Sequence, residues 1–184
     1  AAYKAANKHK NKVFGMAGIL DAGRYKAFLA DALEISPKDI NALLLGGHGD
    51  SMVPLRRFTS VSGIPVTDLL NPEELEKIVE RTRKGGGELV NLMGTSAWYA
   101  PGAAAAAMVE AIVDDEKRIF PVCAYLEGEY GLKDIYMGVP VKLGKNGIEE
   151  IIELKLNQRE KKMVADSAKS VRDVMDVLDK MKLF

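Results

Sequence analysis

From Arg118 onward the apolar residues change period, and that change most restricts what the chain can fold into. Three β-rich runs follow one another, over 118–126, 135–143 and 148–154. They are parted by Gly128-Glu129-Tyr130-Gly131 and by Gly144-Lys145-Asn146-Gly147. An Asn-Gly pair between two such runs is a strong signal for a tight hairpin, so the last two strands are expected to pair antiparallel.

Before residue 113 the period is mostly helical. A helix is expected over 18–33, with Leu20, Arg24, Ala27 and Phe28 in register. Ser36-Pro37-Lys38-Asp39 has the form of a helix start cut to a turn, because Ala42-Leu43-Leu44-Leu45 follows and stops at Gly46-Gly47. A short apolar run ending in glycines reads as a buried strand, and 60–66 reads as another short β piece. Asn71-Pro72-Glu73-Glu74 opens a second helix through Leu75, Ile78, Val79 and Thr82. Gly85, Gly86 and Gly87 are expected to end or bend it, at about 1 kcal/mol per glycine against alanine, with a further helical piece over 88–93. Pro101 is expected to start an alanine-rich helix through Val113. Asn157 and Glu160 form a capping pair for a last helix, whose buried stripe is Val164, Ala168, Val171, Met175 and Leu178. Residues 1–184 together read as a single α+β domain, an antiparallel sheet packed with helices and closed by a long C-terminal helix.

Composition removes several functional classes. The 26 Lys and Arg balance 26 Asp and Glu, so nothing supplies the basic excess that nucleic-acid phosphates call for. An apolar share of 47% excludes intrinsic disorder. The lone Cys123 has no partner for an internal disulfide or a Cys-based zinc site, and neither histidine belongs to a ligand-spaced set, so no metal is expected. Residues 89–109 carry no charge and would reach across a bilayer. Polar residues, Pro101, Gly94 and Gly102 interrupt them, which points instead to a buried turn leading into a buried helix, with Trp98 in the core. No apolar stretch follows the lysines of 1–12 to make a secretory signal. The expectation is a soluble, cytoplasmic protein with no membrane or nucleic-acid partner. Neither G-x-G-x-x-G nor a Walker A sequence occurs, so the chain has no recognisable nucleotide cradle of its own.

Two histidines differ sharply in context. His9 lies among Lys8, Lys10 and Lys12, a solvated basic stretch. His48 lies in Gly46-Gly47-His48-Gly49-Asp50, directly after the buried run, where glycines leave the imidazole uncrowded. It is either a turn histidine bonded to Asp50 or a proton-transfer group, for which an ordinary pKa near 6.5 is well suited. Asp21 and Arg24 share a helix face three residues apart. Alone they make a surface ion pair contributing roughly 0 to 1 kcal/mol. Beside His48 they would do more: a carboxylate fixes the imidazole tautomer, and a guanidinium fork grips a substrate carboxylate at two points. Ser96 is a weaker candidate at the break before the alanine-rich helix.

These residues fall within blocks that resemble the lactate/malate dehydrogenase family. The blocks are Gly15-Met16-Ala17-Gly18-Ile19-Leu20-Asp21-Ala22-Gly23-Arg24 and Leu45-Gly46-Gly47-His48-Gly49-Asp50-Ser51-Met52-Val53-Pro54-Leu55. Later blocks are similar to its bacterial-type malate dehydrogenase branch: 79–88, Tyr99-Ala100-Pro101 and 124–131. The resemblance runs in order over nearly the whole chain and covers only the family's C-terminal, substrate-binding half. It implies the family's C-terminal-domain fold and, with NAD, the interconversion of malate and oxaloacetate, a reaction of the tricarboxylic acid cycle. It maps the catalytic histidine onto His48, its carboxylate partner onto Asp21, the substrate-carboxylate arginine onto Arg24, and a small hydroxyl residue of the substrate pocket onto Ser96. NAD is implied to be held mainly by an N-terminal Rossmann half, with no cofactor-binding residue identified here, so this half alone is expected to be inactive. A homodimer or tetramer is implied as well. Gly23 departs from the alanine usual in this helix and is expected to loosen the turn that sets Asp21 and Arg24. An L-lactate dehydrogenase half, or a non-catalytic oligomerisation module of the same fold, are the other readings.

Overall fold

Capping and turn residues set most of the element boundaries. In the computed structural model, which describes residues 1–181, a short helix α1 (Ala2–Ala6) precedes α2 (Ala17–Leu33). Strands β1 (Ile40–Asn41), β2 (Leu44–Gly46) and β3 (Met52–Pro54) follow, then β4 (Ser60–Val61), β5 (Ile64–Pro65) and the one-turn helix α3 (Val66–Leu69). Two long helices, α4 (Pro72–Met93) and α5 (Tyr99–Val113), lead to β6 (Arg118–Glu127), β7 (Lys133–Gly144) and β8 (Gly147–Ile151). Helix α6 (Gln158–Lys180) closes the sequence of elements. Asn71 Oδ1 accepts the Glu74 N–H at the start of α4, and Asn157 with Glu160 completes a capping box for α6.

The main sheet is organised by β7. Along one edge it pairs with β6, from Arg118 opposite Leu143 to Leu126 opposite Ile135. Its other edge is divided. Strand β8 folds back on the end of β7 through Lys145-Asn146, and β2 meets the middle at Gly46 opposite Gly138. A Cβ on Gly138 would fall 2.5 Å from the Gly46 carbonyl oxygen, so the absence of a side chain there lets β2 close on β7. Strand β3 pairs with β2, and every pairing is antiparallel. From Met137 to Val141 β7 is buried without alternation, as a strand covered on both faces must be. Val122, Leu126, Ile135 and Val139 pack with Val164 and Ala168 of α6 and with Met108 and Ala111 of α5. A second cluster joins Tyr25 and Leu29 of α2 to Ile40, Leu44, Leu75 and Val79.

Four expectations need correction. The three glycines neither end nor bend α4, which runs unbroken to Met93 and stops at Gly94, whose φ is 70°. Residues 60–66 are not one strand but a hairpin, β4 opposite β5, turned by Ser62 and Gly63 at φ 48° and 89°. A two-residue loop with both φ positive has the twist that antiparallel strands need. Strand β8 stops at Ile151, short of Leu154. Finally, the uncharged stretch is not buried: Leu92, Trp98 and Tyr99 are 77%, 63% and 84% exposed, so Trp98 is no core residue. Among the described residues, no helix is long and apolar enough to cross a membrane.

Candidate active site

The helical period of α2 places Asp21 on the same inward face as Tyr25 and Leu29, and its side chain is buried. A carboxylate removed from water needs partners, because an isolated buried charge is costly. Asp21 has two. His48 Nδ1 lies 2.9 Å from Oδ2, and Arg24 Nη1 points at Oδ1 from 3.4 Å, one helical turn along.

His48 reaches this position because β2 ends on glycines and the chain turns sharply through Gly49–Ser51. An ionised carboxylate only accepts hydrogen bonds, so the Nδ1 facing Asp21 carries a proton and Nε2 is left for other chemistry. The bond to Asp21 raises the His48 pKa above its ordinary 6.5, against the opposing effects of partial burial and of the Arg24 charge. The ring itself is half exposed.

Both His48 and Arg24 line a cavity of about 780 Å³ between α2, α4 and α5, and Ser96 lies on its wall. Apolar side chains, among them Met16, Leu20, Leu89 and Pro101, make up most of the remainder. A cleft beside it shares Arg24, His48 and Gly86 and carries Asp50, Arg83, Lys84 and Glu88. Few polar groups in a mostly apolar hollow is the usual make-up of a small-molecule site. A guanidinium for a carboxylate, next to an imidazole that can give or take a proton, suits an anion with a reactive oxygen close to its charge.

Arg24, His48 and Ser96 therefore line one cavity, and the buried Asp21 reaches it only through its contacts with His48 and Arg24. Asp50 is not the histidine's partner. His9 stands apart at the surface, bonded to Asn11 at 2.7 Å, and Lys10 is tied to Glu127 rather than simply solvated. Among the described residues no group of three His, Cys, Asp or Glu is placed to hold a metal ion.

Two glycines of α4 belong to the site and were missed. A Cβ on Gly85 would overlap Arg24 Cδ and come within 3.1 Å of its Nε, and one on Gly86 would lie 3.9 Å from both terminal nitrogens. The guanidinium thus lies across a helix face stripped of side chains. Three glycines inside a well-capped helix were the available signal. Gly23 has the opposite character: its helix is intact, and a Cβ there would meet nothing within 4 Å.

Residues 19–181 match the model of the lactate/malate dehydrogenase alpha/beta C-terminal domain. The chain is 65% identical over 170 residues to a malate dehydrogenase of Cytophaga hutchinsonii, covering 92% of this chain and 54% of that one. The 1.55 Å structure of malate dehydrogenase from Salinibacter ruber superposes with a TM-score of 0.96 at 55% identity, over 98% of this chain and 59% of that one. A lactate dehydrogenase from Eimeria maxima with NADH and oxamate gives 0.93 at 41% identity, over 98% and 57%. The chain spans between half and three fifths of the length of these relatives. With the buried Asp21, its two partners and this match over most of its length, the chain belongs to the lactate/malate dehydrogenase family and represents its alpha/beta C-terminal domain.

Proposed function

We infer that this chain is the substrate-binding half of an NAD-dependent malate dehydrogenase and supplies the group that moves the proton. The observation that carries this reading is the buried Asp21 joined to His48 Nδ1, with Arg24 on the same carboxylate and the same cavity. His48 Nε2 takes the hydroxyl proton of malate as the hydride leaves C2. Asp21 stabilises the imidazolium so formed, and Arg24 holds the C1 carboxylate by a two-point contact that sets the reacting carbon. Toward malate, protonated His48 polarises the oxaloacetate carbonyl and returns its proton. Ser96 offers a hydroxyl to the same ligand.

The cavity also suits a nicotinamide ring: Ala97, Ala100 and Pro101 offer an apolar surface on the wall that carries Ser96. When bound, NAD supplies the hydride acceptor. Its nucleotide end belongs to a Rossmann half, and the exposed Leu92, Met93, Trp98 and Tyr99 give that half or another subunit of a dimer or tetramer something apolar to cover. This half alone does not turn over, and the intact enzyme works in the cytoplasm.

In the full-length protein, His48→Asn is expected to lower turnover by roughly 10² to 10⁴, the contribution of a general acid–base group. Turnover within threefold of wild type would remove His48 from the reaction. The likeness to a lactate dehydrogenase keeps a second substrate in view. Oxaloacetate is expected to show the higher kcat/KM; a preference for pyruvate would move the chain to the lactate branch.

A further inference from the structure

The loop that carries His48 rests on the last helix. Ser167, on the inner face of α6, is 3% exposed, and its Oγ accepts the Gly47 N–H at 2.8 Å. Gly47 is the residue immediately before His48. The approach leaves no room for side chains. A Cβ on Gly46 would lie 2.6 Å from Ser167 Oγ and 3.0 Å from the Ser51 carbonyl oxygen. One on Gly47 would overlap Ser51 Oγ and come within 3.2 Å of Val171 Cγ2. Gly46 also has a φ of 92°, where an L side chain is strained. The pair of glycines thus brings bare backbone down onto α6.

Packing does not hold a ring that is half open to solvent. The Asp21 contact fixes which nitrogen of His48 faces inward, but it acts at the tip of a flexible side chain. Gly46, Gly47 and Gly49 on either side give the backbone wide freedom. A hydrogen bond at the adjacent amide removes that freedom where it matters. Ser167 lines a small cleft with Asp50, Arg83 and Asp166, away from the cavity that Arg24 and Ser96 share, so it reaches the histidine only through the loop.

We propose that Ser167 is a positioning residue for His48, setting the reach of the imidazole into the cavity through the Gly47 amide. The consequence for turnover rests on the dehydrogenase reading; the tether does not.

The test uses Ser167→Ala and Ser167→Cys in the full-length protein. The second fills the site with a slightly larger group and replaces oxygen with a weak acceptor. Both are expected to lower kcat for oxaloacetate reduction by about tenfold to a hundredfold, the cost of a slightly misplaced reacting group. KM, governed by Arg24, is expected to stay near wild type. In an NMR titration of labelled histidine, with the His48 signal assigned by its loss in His48→Asn, both variants are expected to move the His48 midpoint down toward its ordinary 6.5. A lower melting temperature with wild-type kcat and an unmoved midpoint would overturn the proposal, leaving Ser167 a packing residue. If the wild type itself does not reduce oxaloacetate, the dehydrogenase reading fails and the titration still decides: a midpoint unmoved in both variants removes the tether.

Discussion

Asp21 Oδ2 lies 2.9 Å from His48 Nδ1, and the buried acid thereby dictates where the histidine carries its proton. Asn in place of Asp21 keeps the shape but adds an N–H that can donate to Nδ1, which would move the ring proton to Nε2. Asp21→Asn is therefore expected to cut kcat for malate oxidation by roughly a hundredfold or more, as loss of the correct tautomer does elsewhere. Steady-state kinetics of the full-length variant checks this, and a kcat within a few-fold of wild type would separate the acid from the reaction.

The same contact sets a pH dependence whose sign is fixed. The folded His48 pKa is raised above 6.5, so the ion pair is complete below that value and is lost as pH rises through the raised one. Oxaloacetate reduction needs the protonated ring. Its kcat/KM is expected to be level on the acid side of this limb and to fall above it. Without the Asp21 charge the limb moves to lower pH, and the nearby Arg24 charge pushes it the same way. A profile of kcat/KM against pH for wild type and Asp21→Asn measures both positions.

Gly85→Ala is expected to raise the KM for oxaloacetate by about tenfold, equivalent to about 1.4 kcal/mol of a charged contact, with a smaller effect on kcat. Its Cβ would displace Arg24 at Cδ, whereas alanine is the better helix former. The melting temperature should therefore hold or rise while binding weakens. An unchanged KM would show that Arg24 does not need the bare helix face.

Gly23→Ala isolates the helix term. The new methyl meets nothing within 4 Å, so the variant is expected to gain about 0.5–1 kcal/mol of stability, or about 1–4 °C for a chain of this size. Calorimetry reads the shift. Destabilisation would mean that the methyl intrudes on the cavity that Gly23 lines.

At the start of α6, Glu160 takes a two-point contact from Arg57, at 2.9 and 2.7 Å, while also accepting the Asn157 N–H at 2.8 Å. The guanidinium, before any other cause, holds its pKa below the ordinary 4.5. Stability from this pair is complete above that value and is lost as pH falls through the lowered one. Glu160→Gln is expected to cost about 1–3 kcal/mol at neutral pH and to flatten the acid side of the stability curve. Urea midpoints taken across the acid range test both statements.

Elements closed by local chemistry were legible. Asn146-Gly147 announced the β7–β8 hairpin, and Asn157 with Glu160 announced α6, because caps and tight turns act within a few residues. Asp21 and Arg24 were legible as one helix face, but nothing in their spacing tied them to His48; family resemblance supplied that link. What failed was tertiary. Gly85 looked like a helix breaker because propensity is blind to Arg24 lying against it. Trp98 has the sequence marks of core because the stretch around it carries no charge, whereas the fold leaves it at the surface. Ser167 was invisible, since an ordinary serine in an amphipathic helix carries no mark of the backbone it meets.

The helix that steadies the histidine loop lies 120 residues beyond it in the chain. A ribosome therefore delivers the acid, the guanidinium and the imidazole well before the segment that braces them. On the proposed tether, a nascent polypeptide holds all the reactive side chains before the loop that carries the imidazole is braced.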